Sequence, residues 1–321
     1  MKKILGLLAL IFILSCDDGE MSFKTFNFGT GNPSICGDSN ILYKINGTEV
    51  LILDLSAAGI VNSATPPGEP RLITLGSGNT ITYRNYSDTP TANVICSFPA
   101  PSTPSVREEW TGTGTIQIET VAVRNNSNIL TGFSHKITLV DVSFSKDGET
   151  TRIVDNDMGS IVIPLGYTFA FGSETDIFAR TCPENNLVFR RNTRETVILD
   201  FPSGTFPTTV SDTPMDIDLS NLTDDREVYF QVFDGTIADA HICDVIRPVS
   251  PNVIKRFAAT SGTVRIFTEN APGGGTAIRH RIYLRNVVFA NVSNINESFN
   301  IADVVAIPDT NGYVFGILPG Q

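Results

Sequence analysis

The sequence predicts an all-β protein made of two tandem antiparallel β-sandwich domains. Three observations carry that prediction: short period-two apolar runs between turn residues, an internal repeat the size of a whole domain, and cysteines that recur 60 residues apart in one copy and 61 in the other.

The runs come first. GTIQIETVAV (114–123) alternates, with Ile116 and Ile118 on one side and Gln117 and Glu119 on the other, as a half-buried strand requires. HKITLVDVSF (135–144) places Ile137, Leu139 and, less regularly, Asp141 on one face. EVLILDL and ETVILDF are continuous apolar runs and read as strands covered on both sides. Turn formers separate them: Asn46-Gly47, Gly76-Ser77-Gly78-Asn79, Asn125-Asn126-Ser127-Asn128 and Pro272-Gly273-Gly274-Gly275. Beyond the N-terminal leader no stretch shows a helical stripe with caps, so each copy is expected to hold some seven or eight strands. An immunoglobulin-like arrangement is one form such a sandwich takes. Trp110 lies outside the cysteine bracket, however, which departs from the antibody pattern.

The repeat is collinear. CGDSNILYKINGTEVLILDL (36–55) aligns without a gap on CPENNLVFRRNTRETVILDF (182–201). Thr25-Phe26-Asn27-Phe28-Gly29 answers to Thr168-Phe169-Ala170-Phe171-Gly172, and Ile95-Cys96 to Ile242-Cys243. Trp110 falls on Phe257, which makes it a core aromatic; His135 falls on His280; Ile163-Pro164 is matched to Ile307-Pro308. The copies are read as residues 23–165 and 166–310, followed by a C-terminal tail over 311–321. About 145 residues each is ample for one core.

Cysteine arithmetic then links fold to compartment. There are five: Cys16, Cys36, Cys96, Cys182 and Cys243. The chain opens with Lys2-Lys3, an apolar run from Ile4 to Leu14 and a small residue, Ser15, before Cys16. That is the plan of a secretory signal peptide over 1–15, too short to span a bilayer. Ile13-Leu14-Ser15-Cys16 resembles the lipobox of bacterial lipoproteins, which implies that Cys16 carries the lipid and becomes the mature N-terminus. Asp17-Asp18-Gly19-Glu20, within a tether over 16–22, is similar to the acidic segment behind the lipidated cysteine in surface-exported lipoproteins of Bacteroidota-type bacteria. Elsewhere an aspartate just after that cysteine is an inner-membrane retention signal, so the two readings conflict; the resemblance favours the outer membrane and the cell surface. The repeat also resembles two-domain lipoproteins of the same bacteria, which implies no activity.

Assigning Cys16 to lipid leaves four thiols, and an oxidising compartment pairs them. The economical connectivity is one bridge inside each copy, Cys36–Cys96 and Cys182–Cys243; the alternative is four reduced, buried cysteines.

Reactive constellations are sparse. His135 and His280 hold equivalent strand positions and read as fold residues. His241 stands near Asp239 and Asp244, where an acid–base site would be sought, but no nucleophile accompanies it. Asp155-Asn156-Asp157-Met158-Gly159 faintly resembles the start of a calcium loop, lacks the distal glutamate and reads as a hairpin turn. Asp216-Ile217-Asp218 is similarly weak. No catalytic residue, cofactor site or metal site is therefore assigned. The net charge of −11, with no basic patch to compensate, disfavours nucleic acid as a partner.

The expected function is that of a lipid-anchored envelope lipoprotein, non-enzymatic, acting in binding, adhesion or assembly with an envelope protein or glycan as partner. A surface hydrolase of glycans or peptides is the alternative. Loops at 56–68, 97–105, 203–216 and 244–252 are the expected ligand-bearing segments, because loops carry function on rigid scaffolds.

Overall fold

The computed structural model describes residues 26, 28–37, 39–76, 78–153, 156–172, 177–182, 184, 186–221, 226–273 and 275–320. The expected signal peptide, Cys16 and the acidic tether lie outside them, as does Asp155.

The protein is all-β; the described residues form two antiparallel nine-stranded sheets, one from each copy, folded as β-sandwich domains. The first holds β1 (Ser34–Ile35), β2 (Ile41–Asn46), β3 (Glu49–Asp54), β4 (Arg71–Thr74), β5 (Thr80–Tyr86), β6 (Val106–Arg124), β7 (Leu130–Lys146), β8 (Glu149–Arg152) and β9 (Asp157–Pro164). The second holds β10 (Arg180–Thr181), β11 (Val188–Arg191), β12 (Glu195–Asp200), β13 (Met215–Asp218), β14 (Glu227–Phe233), β15 (Val253–Asn270), β16 (Ile278–Asn291), β17 (Asn294–Asn300) and β18 (Tyr313–Pro319).

Hydrogen bonding runs β1-β2-β3-β5-β6-β7-β8, with β4 on β6 and β9 on β7; the second sheet repeats every pairing with each strand number raised by nine. Register repeats as well. Leu42 faces Leu53 as Val188 faces Leu199, and Tyr83 faces Trp110 as Phe230 faces Phe257. Trp110 is accordingly buried beside Phe26, with its indole nitrogen donating to Glu108 at 2.9 Å.

The long hairpin gives each sheet two layers. In the second copy Phe257 and Ala258 of β15 pair with β14, whereas Thr263–Ile266 pair with β13. Its partner β16 likewise pairs with β17 near Phe289 and with β18 near Ile282. A strand that changes layers must bend, and bulges make the bend. Gly262 sits at φ +105°, where a Cβ would come 2.6 Å from Val287 Cα, opposite Asn286 at φ +49°. The first copy has Gly114 and Asp141 at the same places, at φ +139° and +52°. This corrects the expected face of Asp141. Ile137 and Leu139 are buried, the left-handed turn at Asp141 shifts the alternation, and inward residues resume at Val142 and Phe144 while Asp141 is exposed.

Three further corrections concern the ends and the turns. Residues 311–321 are not simply a tail: β18 buries six consecutive residues, Tyr313 to Leu318. The counterpart of β9 is therefore β18, so the match of Ile163-Pro164 to Ile307-Pro308 is displaced by an insertion containing α3 (Ile301–Val304), which Asn300 caps. Asp157 does not sit in a hairpin turn; it opens β9, and its carboxylate accepts from Gly159 N at 2.9 Å. Two other short helices, α1 (Ala92–Cys96) and α2 (Ala240–Cys243), each end on a cysteine.

Compactness divides the chain into two units. One takes residues up to Ala58, Leu72–Gln117 and Ile137–Gly159; the other takes Gly59–Arg71, Ile118–Lys136 and everything from Ser160 onward. The core of the first contains Phe26, which packs on Tyr83, Trp110 and Phe144. The core of the second centres on Tyr167, Phe169, Phe230, Phe257, Phe289 and Phe299, and Leu130 and Phe133 from the end of the β6–β7 hairpin belong to it. Each fully buried aromatic contributes roughly 2–3 kcal/mol by area removed from water.

Candidate functional site

The four described cysteines form the expected bridges, Cys36–Cys96 and Cys182–Cys243, with Cα separations of 5.3 and 5.2 Å. Each bridge fixes the end of α1 or α2, and the loop that follows begins there. These are two of the expected loops, 97–105 and 244–252.

Both loops are tied at the far end in the same way. Ser105 exchanges backbone and side-chain hydrogen bonds with Ser87 at 2.8 and 3.0 Å, and Asn252 does so with Asp234 at 3.0 and 2.8 Å. Prolines at 101 and 104 recur at 248 and 251. Between the ties stand apolar side chains with almost no cover. Phe98 is fully exposed, and Val245, Ile246 and Val249 are 84%, 90% and 92% exposed. Phe98 and Val245 occupy the same place, two residues after the bridged cysteine. Backbone order here costs little further entropy on binding, because bridge, proline and base hydrogen bonds already restrict it.

The other two expected loops are 56–68 and 203–216, the second running at Met215 and Asp216 into β13; each also donates a loop amide to the β-hairpin, Thr65 N to Thr120 O at 2.9 Å and Ser211 N to Thr268 O at 3.2 Å. The expected fold histidines lie on those hairpins. His135 Nδ1 is 3.0 Å from Thr120 Oγ1, and His280 Nδ1 is 3.0 Å from Thr268 Oγ1. Burial, joined by the charge of Arg71, lowers the His135 pKa to about 4; burial alone lowers that of His280. Both rings are therefore neutral at pH 7. Equivalent threonines at 120 and 268 were the sequence signal for these pairs, visible only once the cross-strand register is known.

His241 is arranged differently. Its Nδ1 lies 3.0 Å from Ala238 N and its Nε2 lies 3.1 Å from Ser250 O, so the ring braces the 244–252 loop. Asp239 does not face it as an acid–base partner: Arg180 grips that carboxylate at 2.7 and 2.9 Å and Arg191 adds a third contact. Burial raises the Asp239 pKa, but the two guanidinium groups outweigh burial and hold it below the usual carboxylate range. Asp216 is held low by a two-pronged contact with Arg265 at 2.6 and 2.8 Å, and Asp218 by the Ser220 hydroxyl and amide. Among the described residues no group of three or more His, Cys, Asp or Glu side chains is placed to hold a metal ion.

The individual residues Phe98, Val245, Ile246 and Val249 were not singled out by the sequence, only the loops that hold them. An apolar residue directly behind a bridged cysteine, inside a proline-rich segment, is the pattern that points to them. No protein-family model, curated protein or solved structure matches the chain.

Proposed function

We propose that this chain is a lipid-anchored lipoprotein of the outer cell envelope and that it is a binding, adhesion or assembly module rather than an enzyme. The observation that carries this reading is the repeated loop. In both copies a bridge and a pinned base present bare apolar side chains to solvent, Phe98 in one and Val245, Ile246 and Val249 in the other. Covering one such side chain is worth roughly 1.5–3 kcal/mol, so a chain that leaves four of them bare keeps that energy for a partner. The lipobox resemblance supplies the anchor at Cys16, and an oxidising compartment agrees with the two bridges. The alternative of a glycan or peptide hydrolase has no comparable support, because His241 and Asp239 are engaged in holding loops and arginines.

The test is binding of the purified full chain to arrays of envelope glycans and envelope proteins, beside Phe98→Ser and the triple variant Val245→Ser, Ile246→Ser, Val249→Ser. The reading expects a partner whose capture drops at least tenfold in one or both variants. Unchanged capture in both, or turnover of a glycan or peptide by the purified chain, would overturn it.

A further inference from the structure

The second copy has a cavity beside His280, whereas in the first copy the equivalent His135 meets the Asn62 side chain. The cavity measures about 150 Å³ and is lined by Phe201, Phe206, Thr208, His280, Leu318 and Pro319 among others. His280 is 2% exposed and its ring lies 5.4 Å from that of Phe206. Among the described residues the hydrogen bonds of His280 end at Thr268 through Nδ1, and Nε2 has none. His280 lines the cavity, and Nε2 is not sealed from solvent, so a molecule entering that space can supply its partner.

The duplicate shows what the nitrogen takes. In the first copy His135 makes the same contact to Thr120, and its Nε2 lies 3.1 Å from Asn62 Oδ1. An amide oxygen only accepts, so Nε2 carries the hydrogen there, and Nδ1 accepts from the threonine hydroxyl. The equivalent of Asn62 can be counted from the backbone. Thr65 N and Ser211 N bond to the carbonyls of Thr120 and Thr268, so three residues earlier Asn62 corresponds to Thr208. Thr208 is shorter, lines the cavity and lacks the amide.

We infer that the second copy is a small-ligand site: the cavity beside His280 and Thr208 receives an uncharged amide, whose carbonyl oxygen accepts from His280 Nε2–H in the manner of Asn62 while its apolar part packs on Phe206 and Leu318. The volume matches a group of benzene's size, since a dry cavity of about 150 Å³ takes benzene. The amide belongs either to a small free molecule or to the acetamido arm of an amino sugar. The site is separate from the exposed loops and does not rest on the function proposed for them.

The chain has three histidines, so their ring nitrogens can be followed individually by selective ¹⁵N labelling of the full chain. Titration with N-methylacetamide and, separately, with N-acetylglucosamine should move the His280 Nε2 signal saturably and leave His135 unmoved. A response to N-methylacetamide alone assigns a small free amide; a tighter response to N-acetylglucosamine assigns the sugar. Thr208→Asn should weaken either response at least tenfold and move the His280 signal toward that of His135. The reciprocal Asn62→Thr should make His135 responsive, so the inference does not depend on one variant folding. Silence of His280 to both probes would mean a cavity that holds water only and would overturn the inference. So would equal binding of toluene, which has no carbonyl, or full binding by Thr208→Asn.

Discussion

Thr268 and His280 face each other across the β15–β16 hairpin, with Oγ1 and Nδ1 3.0 Å apart, and Thr120 and His135 repeat the pair in the first copy. The four positions lie at equivalent points of two copies, so the pair was part of the domain before it was doubled. It also makes stability depend on pH.

An unfolded chain protonates histidine near pH 6.5, whereas folded His135 waits until about 4. Between those values the unfolded state binds more protons, so stability is full above about 6.5 and falls as the pH drops toward 4. His280 adds a loss of the same sign. The His135 contribution is at most about 3 kcal/mol. Asp216, Asp239 and Glu269, held below the usual carboxylate range, lose their contributions at still lower pH. Urea unfolding midpoints at pH 7.5 and 4.5 check this: the native chain should lose stability over that window, and a His135→Gln, His280→Gln variant should lose distinctly less. Equal losses would show that the two rings do not set the dependence.

The bridges close loops of 60 and 61 residues. By the chain-entropy account each contributes about 4 kcal/mol through the unfolded state. Replacing Cys36 and Cys96 with serine, or Cys182 and Cys243, should lower unfolding free energy by a like amount while circular dichroism still reports strand. A loss well under 1 kcal/mol would show that the reduced chain is already as constrained.

Leu130 and Phe133 are buried in the core that also holds Phe169 and Phe289. Phe133→Ala should cost about 3–5 kcal/mol. For the same reason a fragment beginning at residue 166 should unfold more readily than one retaining 118–136. Equal denaturant midpoints for the two fragments would show that the hairpin end adds nothing to that core.

What the sequence told plainly was whatever duplication wrote twice in one register: both bridges, the EVLILDL and ETVILDF strands, and Trp110 against Phe257. It told less wherever a feature depends on long-range pairing or on an insertion. The span of β6 from Val106 to Arg124 hides in the sequence because a bend at Gly114 divides its pattern, and Asp141 breaks the alternation of β7 by turning left-handed. The last strand is not legible in the repeat because α3 and the segment to Gly312 intervene before Tyr313, carrying the counterpart of β9 out of the expected offset. Helices of five and four residues are too short to show a stripe. The loops were legible as loops. Their bare Phe98 and Ile246 were not, since nothing in a lone apolar residue says whether the fold will cover it.

The central claim is that twin stapled sandwiches stand outside the cytosol on a fatty-acyl anchor. Non-reducing peptide mass spectrometry of protein taken from its own membrane tests it in one measurement. The account predicts Cys36 joined to Cys96, Cys182 joined to Cys243, and Cys16 carrying acyl groups at a new N-terminus. An unmodified Cys16, free thiols at the other four, or a bridge from one copy to the other would contradict it.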